Sequence, residues 1–190
     1  LSSVQAGRRG LVGQREGAVP MTAMHSRLEP CGALASGEWL SALRRYMIFI
    51  AAANLIWEFA HIPLYTLWET GSADEIVFAA VHCTGGDILI ALSTVILALF
   101  LLGSPAWPAV RTGRVVVLTV TLGLGYTVFS EWLNIEVRQA WAYRDLMPVI
   151  PVIDTGLSPV LQWIIIPLAA FRFATGRWLG QGRTAAIADA

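Results

Sequence analysis

Four apolar runs dominate this chain, at about residues 43–62, 76–102, 115–134 and 158–175. Each carries most of its polar side chains toward one end. The first run has twenty residues, and twenty residues at 1.5 Å each span ~30 Å, the thickness of a bilayer's hydrocarbon core. The second is longer and must tilt or project. The breaks between runs carry turn chemistry. Pro63 ends or kinks the first run, Gly103-Ser104-Pro105 and Pro108 form a polar turn after the second, and Ser158-Pro159 reads as an N-cap followed by proline at the first helical position. Asp74 and Glu75 suit the N-terminus of the second helix, where the macrodipole favours negative charge. The fold class expected is all-α: a polytopic integral membrane protein built as a four-helix transmembrane bundle.

The connection from residue 64 to 74 is short and holds Tyr65, Trp68 and Glu69. The one from 135 to 156 is longer, with Trp141, Tyr143, Pro148 and Pro151. It is too apolar for a solvated loop and too broken for a span. It is expected to lie in the membrane interface or fold back over the bundle. Residues 1–38 show no sustained period and are read as a disordered tail outside the fold, with Met21 or Met24 as candidate starts. Residues 39–178 form the membrane domain, and 179–190 a flexible tail.

Composition agrees with this reading. Of 190 residues, 56% are hydrophobic and only 14% charged, whereas an average soluble domain is about 25% charged. Mean hydropathy is +0.61. The formal net charge is zero, so no overall basic field favours nucleic acid as a partner. All thirteen basic residues are arginine. Without lysine, Schiff-base chemistry and phosphate-binding P-loops are excluded. Cys31 and Cys83 have no paired spacing, so neither a disulfide framework nor a zinc knuckle is expected. Arginines cluster before the first run, between the second and third, and after the fourth. The positive-inside rule then places both termini in the cytoplasm of a bacterial-type inner membrane.

Candidate chemistry sits where polar residues interrupt the runs. Asn54, Glu58 and His61 are spaced i, i+4, i+7 and share one helical face. An ionised carboxylate in a bilayer costs on the order of 3 kcal/mol by insertion scales, so such groups need partners or a task. His82 and Asp87 lie in the same outer half of the second run, Glu131 and Asn134 in that of the third, and Ser158 and Gln162 open the fourth from that side. These placements predict one polar pocket in the outer leaflet. Glu58, Asp87 and Glu131 are the candidate acid–base residues, and Asn54, Asn134 and Gln162 the candidate binding residues. Glu58 and His61 form a Glu-x-x-His pair, so Glu58, His61 and His82 are candidate ligands for a divalent metal such as zinc or iron. His61 and His82 also offer haem ligation, though neither stands in an attachment motif.

Two functions fit. One is a small metal-dependent or acid–base enzyme acting on a lipid-like small molecule drawn from the bilayer. The other is a non-catalytic sensor, transporter component or partner-binding subunit, in which the polar cluster serves only hydrogen bonding. The Gly123/Gly125 pair is a candidate close-contact surface for a homodimer.

Overall fold

A computed structural model describes residues 31–176, with side chains placed from residue 37. Residues 1–30 of the expected N-terminal tail, with Met21 and Met24, and the whole expected tail 179–190 lie outside the described residues. All four candidate spans lie within residues 37–175. The long helices are α1 (Cys31–His61), α3 (Ala73–Leu102), α4 (Thr112–Trp132) and α5 (Leu157–Thr175). A single helical turn, α2 (Leu67–Thr70), lies between the first two. All four long helices are long and apolar enough to cross a membrane. That is the make-up of a multi-pass membrane protein.

Local sequence explains the boundaries. α1 begins inside the segment read as tail, because Ala33 to Leu43 contains no residue that stops a helix outright. It ends at His61, where Pro63 forces a short 3-10 turn over Ile62–Leu64. Ser72 and Glu75 close a reciprocal capping box at the start of α3. At α5 the expected cap is corrected: Gly156 holds the N-cap position without a side-chain bond. Ser158 sits two positions further in, with its hydroxyl committed elsewhere. α5 runs unbroken through Pro167.

The bundle has two ends of different character. At one, Tyr46 and Ile50 of α1, Val95 of α3, Val115 and Val116 of α4 and Phe171 of α5 form an apolar core. The rings of Tyr46 and Phe171 lie 4.5 Å apart. Large apolar side chains such as Ile56, Phe78 and Phe100 point outward, as a lipid-facing surface requires. The other end is polar inside and covered by the connections from α1 to α3 and from α4 to α5. Tyr65 bridges Tyr143 in antiparallel fashion, Thr66 N–H donates to Ala142 O at 2.9 Å, and Arg144 N–H donates to Leu64 O at 2.9 Å. The Arg144 guanidinium donates to Pro63 O at 2.7 Å and pairs with Glu69. A two-stranded hairpin, β1 (Val149–Ile150) with β2 (Thr155–Gly156), returns the chain to α5. The long connection therefore folds back over the bundle, as its composition predicts.

Candidate functional site

Under that cover lies a cavity of about 350 Å³. All eight candidate residues bear on it. Glu58, His61, His82, Asp87, Glu131, Asn134 and Gln162 line it, and Asn54 is buried directly behind Gln162. The helical period explains why. Asn54, Glu58 and His61 project from one face of α1, and Glu131, in the last turn of α4, is followed three residues on by Asn134 in the π turn beyond it.

Gln162 joins three elements. Its side-chain nitrogen donates to Asn54 Oδ1 at 2.9 Å, Glu58 Oε1 at 2.9 Å and Asp87 Oδ2 at 3.0 Å. An amide nitrogen carries two hydrogens, so three acceptors divide two donors. The cluster thus retains acceptor capacity for a proton or for a ligand's donor. Asn54 completes its own bonding by donating to Ile50 O at 2.9 Å.

His61 links Glu58 to α5. Its Nε2 lies 3.1 Å from Glu58 Oε2 and its Nδ1 lies 3.0 Å from Ser158 Oγ. Trp57 Nε1 donates to the same hydroxyl at 3.2 Å. A continuous chain of bonds therefore runs Trp57–Ser158–His61–Glu58–Gln162–Asp87. Ser158 is the member whose role the sequence conceals. The Ser-Pro pair signals a helix cap, and only packing shows α1 seated over it.

Glu131 is held from the covering connection. Tyr143 donates its hydroxyl hydrogen to Glu131 Oε2, because the hydroxyl oxygen already accepts from Gly156 N–H at 2.8 Å. Tyr65 O–H approaches the same carboxylate oxygen at 3.5 Å. Burial, and then the Glu131 carboxylate, push both phenols above the ordinary tyrosine value. Both therefore remain donors at neutral pH. Neither is among the candidate residues read from the sequence, which places both only in connecting segments.

The metal reading fares differently. Both ring nitrogens of His61 are engaged with Ser158 and Glu58. His82 is exposed at the cavity wall and stacks on Phe78 at 5.5 Å. Among the described residues, no three His, Cys, Asp or Glu side chains converge to hold a metal ion. The set Glu58, His61 and His82 is thus not assembled as a ligand sphere. His82 and Asp87 do not pair; Asp87 turns to Gln162 instead. Asn134 donates to Ser130 O at 2.9 Å within its own helix, a structural bond.

The glycines sort by neighbour. A Cβ on Gly123 would overlap the six-membered ring of Trp163, so half of the proposed dimer face is used inside the chain. Gly86 lines the cavity with open space before it. Trp141 and Trp163 also line the cavity. Trp163 thereby serves packing and lining together. Among the lining residues the exposed ones are His82 and Leu89 on α3, Tyr126 on α4 and Arg138 beyond it, which marks this as the open side. No family model, curated protein or solved structure matches this chain.

Proposed function

We propose that the protein is a multi-pass enzyme of a bacterial-type inner membrane, with both termini cytoplasmic, that performs acid–base chemistry on a lipid-like substrate. The observation that carries this is one cavity bringing together carboxylates from three different spans, Glu58, Asp87 and Glu131. Two of them share the Gln162 amide, and one is tied to His61. Groups that can hold and pass protons around an open, partly apolar cavity are what proton transfer to and from a membrane-dissolved molecule requires. Glu58 and Asp87 are the acid–base pair. Glu131, fixed by Tyr143, faces them from α4. His61 keeps Glu58 oriented and carries protons to it. Gln162 holds the pair in register.

The test uses purified wild-type protein and a Glu58→Gln variant, each reconstituted with total lipid from the host membrane and compared by lipid mass spectrometry. Wild type is expected to convert at least one lipid species, and the variant to leave it unconverted while still inserting. Conversion by both removes the proposal.

A second reading is a ligand-binding module without catalysis. The engagement of both His61 nitrogens and of the Gln162 amide favours it, since satisfied groups are poised to hold rather than to react. Lipid co-purified with wild type and never converted is its signature.

A further inference from the structure

We propose that the mouth of this cavity is a subsite for the oxyanion head of an amphiphile, held by Arg138 and Trp141, with the tail leaving between α3 and α4. This deepens the reading of the cavity as a site for a lipid-like substrate, and rests on it.

The backbone beyond α4 aims these two side chains. Leu133–Val137 forms a π turn, closed by Arg138 N–H donating to Leu133 O at 2.8 Å. Gln139 follows in the left-handed region at φ 51, a conformation that a non-glycine residue adopts at a cost. Ala140 N–H then donates to Asn134 O at 2.8 Å, turning the chain back over the helix end. Both Arg138 and Trp141 consequently line the cavity. A wide turn next to a left-handed residue is a device found at functional sites.

The donors there lack acceptors. Arg138 is exposed at the rim, and among the described residues its guanidinium has no ion-pair or hydrogen-bond partner. Its neighbour in the covering connection, Arg144, is by contrast engaged by Pro63 O and Glu69. Trp141 Nε1 is buried without a partner, and the Thr127 hydroxyl, 6% exposed, is likewise unpartnered on the cavity wall. A guanidinium and an indole N–H call for an acceptor-rich, negatively charged group. The carboxylates lie further in. Glu131 is buried, 8% exposed, whereas Arg138 is exposed at the rim. An oxyanion held at the rim leaves the atoms next to it directed at Thr127 and the carboxylates deeper in the cavity.

The opening supplies the tail's path. Leu89 is 65% exposed and Tyr126 50% exposed, and both line the cavity on its open side. Exposed side chains along that side give a hydrocarbon segment a surface to lie against. Such a surface faces acyl chains, which fits an amphiphile that enters sideways.

The experiment is isothermal titration of the full chain in a maltoside detergent with dodecyl phosphate, dodecanol and inorganic phosphate. Wild type is expected to bind dodecyl phosphate about tenfold or more tightly than dodecanol, the gain of a charge-assisted contact. Arg138→Gln should erase that preference, and Trp141→Phe should reduce it. Displacement of dodecyl phosphate by inorganic phosphate in wild type, lost in Arg138→Gln, supports the subsite and assigns it to free oxyanions as well. Absence of displacement, with the preference intact, supports it as a lipid-headgroup site. Equal affinity for the two amphiphiles, or a preference that survives Arg138→Gln, overturns it. Glu58→Gln separates the two claims. If it weakens both amphiphiles while wild type shows no preference, the cavity reading stands and the oxyanion subsite falls. If neither amphiphile binds wild type, both fall.

Discussion

Ser158 places one hydroxyl between two side chains of α1, the Trp57 indole and the His61 imidazole. An ionised Glu58 only accepts, so a neutral His61 donates to it from Nε2 and takes the Ser158 hydroxyl hydrogen at Nδ1, while the hydroxyl oxygen accepts from Trp57. Ser158→Ala should cost about 1 kcal/mol, the worth of a typical hydrogen bond. In a thermal melt that is about 3 °C for a chain of this size. Nitrogen NMR of the imidazole should show a mixed tautomer population, and Ser158→Thr should restore the single one. An unchanged tautomer in Ser158→Ala would remove the orienting role. Tyr143 makes a second residue-scale prediction. Its phenol, like that of Tyr65, keeps its proton in the folded state above the value of about 10 at which an unfolded tyrosine ionises. Above that pH the folded chain binds more protons than the unfolded one, so stability falls as pH rises through and beyond 10. Tyr143→Phe should cost about 2 kcal/mol at neutral pH, because the Gly156 N–H and a Glu131 oxygen lose their partner. It should also flatten the alkaline loss. Melting curves from pH 7 to 11 check both parts.

Among the elements, α5 is the keystone of the polar end. It carries Gln162 to the carboxylates and Trp163 onto the α4 backbone at Gly123. The contact needs glycine for lack of a side chain rather than for backbone freedom. Gly123→Ala should drive the two helices apart and cost about 1–3 kcal/mol, the range for overpacking. Gly125→Ala meets open space and should be neutral or stabilise by up to about 1 kcal/mol through helix propensity. Paired melts of the two variants measure the difference, and equal destabilisation would remove the packing argument. The covering connection matters at the same scale. Arg144 ties it to the α1–α3 connection through two backbone oxygens and Glu69. The Glu69 pair is half-exposed and adds little by itself. The backbone bonds carry the closure.

For the whole molecule, the two ends divide the labour. A dry apolar core holds the helices at one end so that a polar cavity can exist at the other. The excess of arginine at the dry end predicts that this end faces the cytoplasm. Single cysteines introduced at Arg111 and Asp145, in a Cys31→Ala, Cys83→Ala background, test this in intact cells with a membrane-impermeant maleimide. Labelling is expected at 145 and not at 111. The reverse pattern would invert the topology.

How much of this was legible beforehand follows from where each interaction lies along the chain. The four helices, the shared face of Asn54, Glu58 and His61, and the gathering of polar residues at one end are local or periodic properties, and sequence by itself determined them. A membrane setting strengthens that link, because apolar length and polar interruptions are both costly to place elsewhere. The partners of those residues are separated by long stretches of chain. Ser158 meets His61 across 97 positions and Gln162 meets Glu58 across 104. No spacing rule reports such pairs. Whether His61 spends its nitrogens on a metal or on Ser158, and whether Tyr143 serves the interface or Glu131, was decided only by how α5 and the covering connection pack against α1 and α4. Hydrogen bonds are directional, and direction is set by the tertiary structure.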